Sequence, residues 1–198
     1  MTAYPRSGSG PADHKQQGVL HPRLETPGTV LRVSRLLSPE RMHELLGSEG
    51  LPSAEVLSQL VPAAPGRHSA QFTVRDAGDG TVVGVSGLHS MDLNGGHVRA
   101  EPHLAAGAGE DHAAAAGALT LNYAFAMFRV RKVYVWTVDP EPRALAHVPV
   151  RVQNEGCLRE FVVDGGVLRD VTVLTVDRED WERAAGFLDA LAEGRGAR

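Results

Sequence analysis

Leu104-Ala105-Ala106-Gly107-Ala108-Gly109-Glu110-Asp111-His112 runs into an alanine-rich segment that ends Asn122-Tyr123-Ala124-Phe125. The stretch reads as strand, glycine turn and helix N-terminus. Such a turn gathers unpaired backbone N–H groups at the positive end of a helix dipole, a nest that suits a pyrophosphate or another anion. The glycines are present, no basic residue accompanies them, and two carboxylates stand at the helix start. The alanines and Gly117 imply a helix packed closely on a sheet.

Working outward, residues 97–104 form the strand that feeds this turn. Pro102 cannot donate to a ladder, which predicts a bulge or an unpaired edge there. Before it lies a meander of strands over 71–76 and 81–91, turned at Asp79-Gly80 and again at Asn94-Gly95-Gly96. Still earlier, a strand over 30–36 precedes two short helices that open at Ser38-Pro39-Glu40 and Ser53-Ala54-Glu55, each with a serine N-cap. After the central helix, expected over 111–128 with Asp111 as its N-cap, comes a Val/Tyr/Trp-rich strand over 132–138. Strand, helix, strand at this spacing implies a right-handed parallel crossover. One short helix over 142–148 follows, then a hairpin of strands 157–163 and 167–176 turned at Asp164-Gly165-Gly166. A final helix, capped by Asp177 and anchored by Trp181, ends at Gly194. The class is α/β (α+β): a mixed sheet, antiparallel at first, with one buried central helix.

The chain has 198 residues, 42% of them hydrophobic and 22% charged, as expected of one globular domain with a tail. The domain is read over 29–193, with a flexible tail over 1–28, rich in Ser, Gly, Pro and His, and a short one over 194–198. The first residues lack the apolar core of a signal peptide and no apolar run is long enough for a bilayer, so the expected compartment is the cytoplasm, with no membrane partner. A net charge of −4 gives no pull toward nucleic acid. The single cysteine, Cys157, leaves no internal disulfide and no cysteine cage for zinc. Nine histidines invite a metal, but none of them are paired at i, i+4 around a glutamate, so none is expected. Cys157 reads as a small buried residue, and Tyr123 and Phe125 as core. Arg159, Arg169 and Asp170 read as partners across the terminal hairpin.

Four segments resemble the GNAT acyltransferase superfamily, and more narrowly its ribosomal-protein N-terminal acetyltransferase-like branch. They are the meander with VVGVSGLHSMD, the glycine turn with a helix ending LNYAF, the run RKVYVWTVDPEPRALAHV, and the terminal NEGCLREFVVDGGVLRDVTVLTVDREDW. The last is the most specific. The resemblance implies a mostly antiparallel sheet of about seven strands with helices on both faces. It implies acetyl-CoA or another acyl-CoA as co-substrate and a primary amine, of a small molecule or a protein N-terminus, as acceptor. In that family the strand before the turn pairs with the pantetheine arm and the turn amides hold the pyrophosphate. Carried over, Glu101, Pro102, His103 and Leu104 meet pantetheine, and Gly107, Ala108, Gly109, Glu110 and Asp111 meet the pyrophosphate. The departures are specific. Ala106 or Ala108 stands where the family has a basic residue, Pro142 stands near its customary Asn, and Val152-Gln153 replaces a Gly-Phe pair.

Alternation puts His97, Arg99, Glu101 and His103 on one face of their strand, with Val98, Ala100 and Leu104 on the other. In the resembled fold this strand borders the acceptor cleft. Glu101 is then a candidate base toward an ammonium group, directly or through water, with His103 or His89 sharing the role. The plain alternative is a solvated sheet face carrying cross-strand ion pairs. For Glu110 and Asp111, one reading is repulsion that weakens the nest, and the other is ordinary complementarity to the helix dipole. Three functions stay open: an N-acyltransferase using acyl-CoA, a catalytically degenerate GNAT-fold binding protein, and an enzyme that takes its acyl group from an acyl carrier protein. The sequence leaves monomer and homodimer equally open.

Overall fold

The structure, a computed structural model, describes residues 20–193 except 63 and 140. Strand β1 (Thr29–Val33) leads to helices α1 (Pro39–Leu46) and α2 (Ala54–Leu60). The meander follows as β2 (His68–Asp76), β3 (Val82–Asp92) and β4 (His97–Leu104). The central helix α3 (Glu110–Met127), β5 (Lys132–Thr137) and the single turn α4 (Arg143–Ala146) come next. The chain closes with β6 (Gln153–Asp164), β7 (Val167–Asp177), α5 (Arg178–Ala184) and α6 (Gly186–Ala192). The final helix expected from the sequence is therefore two, divided at Ala185.

One seven-stranded sheet has the order β1-β2-β3-β4-β5-β7-β6. Among the described residues only β4 and β5 run parallel. Serines start α1 and α2 as expected: Ser38 accepts from the Arg41 N–H at 3.3 Å and Ser53 from the Val56 N–H at 3.2 Å.

The period of two along β3 and β4 separates two layers. Leu88, Val98, Ala100 and Leu104 face α3, α4, α5 and α6 in the main core, where Phe125, Leu145 and Trp181 are buried. Val85 faces the other way, against Met42, Leu46 and Leu57 of α1 and α2. The far side of α2 packs Val56 and Leu60 on Val162, Val171 and Trp136. Helix α3 is apolar all round and buried for most of its length, as a helix enclosed by sheet and helices must be. Its polar Thr120 is satisfied by Ser86 at 2.7 Å and by the Ala116 carbonyl at 2.6 Å.

Residues 20–28, read from the sequence as the end of a tail, are held to the domain. Leu20 and Leu24 pack on the main core, and Asn122 donates to the His21 carbonyl at 2.8 Å. The other tail positions, 1–19 and 194–198, lie outside the described residues. Among the described residues no helix is long and apolar enough to cross a membrane.

Candidate active site

Pairing between β4 and β5 stops at Arg99↔Tyr134, and beyond it the two strands part. Between them lies a cleft of about 70 Å³, lined by Glu101, His103, Trp136, Asp139 and Arg143 among others. Pro102 sits on this parting. The Ala105 N–H, three residues on, donates to the Val83 carbonyl at 2.9 Å. By alternation the main chain of Glu101 and His103 points at β3, and that of Pro102 and Leu104 points into the opening. The missing proline donor therefore costs no ladder bond, and the expected unpaired edge is this one.

The polar face of β4 forms a buried cluster. Glu101 Oε1 lies 3.1 Å from Arg99 Nη2 and 3.4 Å from His89 Nε2, and Oε2 lies 3.6 Å from His103 Nε2. Arg99 also donates to the Leu60 carbonyl of α2 at 3.0 Å and lies 4.0 Å over the Trp136 ring. Glu101 is 4% exposed and His89 fully buried, so the expectation of a solvated face is wrong for this part of the strand. One cross-strand ion pair exists, His89 with Glu101, while Arg99 and His103 meet Glu101 along β4 itself, and α2 covers the cluster where Arg99 reaches Leu60. His97 stays apart, edge-on to Tyr134. The two imidazoles approach the carboxylate at ion-pair distance without hydrogen-bond alignment, so His89 Nε2 and His103 Nε2 are buried with no bonded partner.

Burial works to raise the Glu101 carboxyl, but the His103 and His89 imidazoles outweigh it and hold the group at about 2. Desolvation pulls the Arg99 guanidinium down, against the attraction of Glu101. A carboxylate held that low accepts a proton poorly from an alkylammonium, whose ordinary value is ~10.4. It lies within ion-pair reach of His103, whose ring borders the cleft.

The glycine turn ends at Gly109, which is the N-cap of α3 in extended conformation with no side chain bonded to the helix end. Asp111 is therefore not the cap expected from the sequence. It lies with Glu110 in the first turn, and both side chains are exposed. The Ala108 N–H is used by the Ala105 carbonyl at 3.0 Å. Among the described residues the N–H groups of Gly107, Gly109 and the first helical turn have no such partner. They front an open hollow of about 680 Å³ bordered by Val83 and residues 107–112. His112 is held at its rim by Thr29 at 2.9 Å and Asp76 at 3.1 Å.

A cation reaches the turn from elsewhere in the chain. Arg143 donates to the carbonyls of Ala105 (3.2 Å), Ala106 (3.4 Å) and Ala108. The start of α4 is brought there by Gly117: a Cβ on that glycine would stand 1.8 Å from the Ala144 carbonyl oxygen. Gly117 thus admits α4 rather than a strand, which corrects the helix-on-sheet reading. Sequence reasoning missed Arg143 because it lies 35 residues beyond the turn. The only signal was a basic residue opening a short helix.

Cys157 is exposed, not buried, with its sulfur 3.6 Å from Asp170. Arg169 pairs with Asp164 at 3.2 Å rather than with Asp170. Tyr123 and Phe125 join the main core as expected. Among the described residues no three His, Cys, Asp or Glu side chains are grouped to hold a metal.

No protein-family model matches the chain, and no curated protein matches it. Solved structures do. A GCN5-related N-acetyltransferase from Brucella melitensis superposes with a TM-score of 0.62 at 20% identity, covering 89% of each chain. A probable GNAT-family acetyltransferase from Chromobacterium violaceum gives 0.61 at 19% identity, over 91% of this chain and all of that one. Spermidine N-acetyltransferase from Vibrio cholerae, solved with CoA and spermine, gives 0.57 at 19% identity, over 78% of this chain and 98% of that one. With the strand order, the parting of β4 from β5 and the glycine turn at α3, these likenesses show that the chain has the GNAT fold.

Proposed function

We propose that the protein is an N-acyltransferase that moves an acyl group, by default acetyl, from acyl-CoA to a primary amine. The observation that carries this reading is the cleft where β4 leaves β5. It holds a buried carboxylate–histidine pair on its wall, and the free amides of the glycine turn lie beyond its end. A CoA-bound acetyltransferase of the same fold, at 19% identity, supports the donor class.

In this reading Leu104 and Pro102 border the pantetheine arm, with only Leu104 able to donate. Gly107, Gly109, Glu110 and Asp111 offer main-chain N–H groups to the diphosphate, while Ala108 offers none. The amine lone pair attacks the thioester carbonyl carbon, the C–S bond breaks, and the CoA thiolate leaves. The proton lost by the nitrogen passes to His103. Its Nε2 lies 3.6 Å from Glu101 Oε2, within ion-pair reach, so the carboxylate offsets the positive charge that the ring gains. His89 and Arg99 hold Glu101 in turn. The buried carboxylate and the exposed acid Asp139 favour a cationic acceptor, a small polyamine-like amine or a protein N-terminus, in the cytoplasm.

The test is transfer from acetyl-CoA to a panel of primary amines that includes spermidine and N-terminal peptides, followed by thiol release and by mass of the product. Release that requires an amine, with an acetyl mass gain on it, is expected. Absence of calorimetric heat with acetyl-CoA, CoA and longer acyl-CoAs would remove the donor from the reading.

A further inference from the structure

The glycine turn has a conformational problem. Within the turn the Ala108 N–H is held by the Ala105 carbonyl, but the Ala106–Gly107 and Ala108–Gly109 peptides have no such bond on their N–H groups, and an anion nest works only if those N–H groups point the same way. Among the described residues no side chain caps the helix end to fix them. Arg143 is the one described side chain whose polar atoms reach the carbonyls of Ala105, Ala106 and Ala108. In a trans peptide the carbonyl of one residue and the N–H of the next point in opposite directions. A guanidinium that draws the Ala106 and Ala108 carbonyls to the α4 side therefore turns the Gly107 and Gly109 N–H groups to the far side. The open hollow before α3 is bordered by these same glycines. The planar fork of arginine serves several carbonyls at once, which a lysine ammonium does less well.

We propose that Arg143 is a positioning residue for the donor's diphosphate, holding the glycine turn in its anion-binding form from the carbonyl side. This rests on the acyl-CoA reading of the turn. It assigns to α4 the ordering of a turn that carries no basic residue of its own. Its charge also stands beside a site where Glu110 and Asp111 are exposed.

Arg143→Met and Arg143→Lys would be compared with wild type for CoA affinity by calorimetry and for turnover of S-acetylpantetheine, which has the arm and no diphosphate. Both variants should lose about 10- to 100-fold in CoA affinity, and turnover of S-acetylpantetheine should fall by a clearly smaller factor. If Arg143→Lys binds CoA like wild type, charge alone suffices and the positioning role fails. An equal fall with acetylpantetheine, or tighter CoA binding by Arg143→Met, overturns it too. A second measurement needs no donor. The ¹⁵N heteronuclear NOE of the Gly107 and Gly109 amides should drop in Arg143→Met, and an unchanged NOE refutes the proposal. Wild type that fails to bind CoA refutes the acyl-CoA reading, while the NOE still decides whether Arg143 orders the turn.

Discussion

Two acidic places on this molecule, nine residues apart in sequence, are treated in opposite ways. Glu101 is sunk under α2 and answered by Arg99, His89 and His103. Glu110 and Asp111 stand in solvent at the head of α3, and no ion pair is seen for either among the described residues. Coulomb's law weighs them differently. In a dry interior a lone carboxylate is prohibitive, so its partners are obligatory. On the surface the same charge is screened, and its effect on a nearby anion is worth ~1 kcal/mol or less. The buried acid is therefore built into the fold and, in the proposed reading, into the chemistry as well. The exposed pair only tunes.

The widest contrast should come from the histidine beside Glu101 at the cleft. His103→Gln is expected to lower kcat by about 10²- to 10⁴-fold with CoA affinity unchanged, read by steady-state rates and calorimetry. A loss confined to KM would make His103 a binding residue and leave the cluster purely structural. Next is the cluster itself. Glu101→Gln strips the counter-charge from a half-buried guanidinium and should cost about 1–3 kcal/mol in urea unfolding at neutral pH. The same carboxylate predicts an acid limb. Its folded-state value of about 2 lies below the ordinary 4.5, so its stabilisation is complete above about pH 4.5 and is lost as pH falls toward 2. Glu101→Gln should flatten that limb, and an unaltered acid slope would deny the cluster its part in stability.

On the side of the turn, Gly117→Ala forces a methyl against the Ala144 carbonyl and should cost about 1–3 kcal/mol. It should also weaken CoA binding, because α4 carries Arg143 away with it. The smallest effect separates the exposed acids from the buried one. Glu110→Gln with Asp111→Asn should tighten CoA binding about two- to fivefold at low salt, and the gain should vanish in high salt. A large, salt-independent gain would mean that these acids obstruct the nest.

Local rules read from the sequence carried the succession of strands and helices along the chain, the serine caps and the strand–helix–strand unit, because each element is signalled by residues within a few positions of one another. Pro102 was legible as an unpaired edge for the same reason. What escaped depends on distant packing. Alternation put Arg99, Glu101 and His103 on one face but could not say that α2 lies over it. The same limit hid Arg143 from the turn it serves. Gly117 looked like a seat for the sheet because small residues do not reveal which neighbour they admit. Cys157 looked buried by composition, whereas its strand β6 is the last in the sheet and largely exposed.

The roof over Glu101 is tied down at its far end. Gln59 of α2 donates to the Val163 carbonyl at 2.8 Å and accepts from its N–H at 2.9 Å, and Glu55 accepts from the Gly165 N–H at 2.7 Å. A side-chain amide thus occupies main-chain positions that a border strand otherwise leaves open to any extended chain. The same two bonds that hold α2 to the sheet also keep this stretch of backbone from recruiting neighbours, so weakening them exposes an adhesive margin.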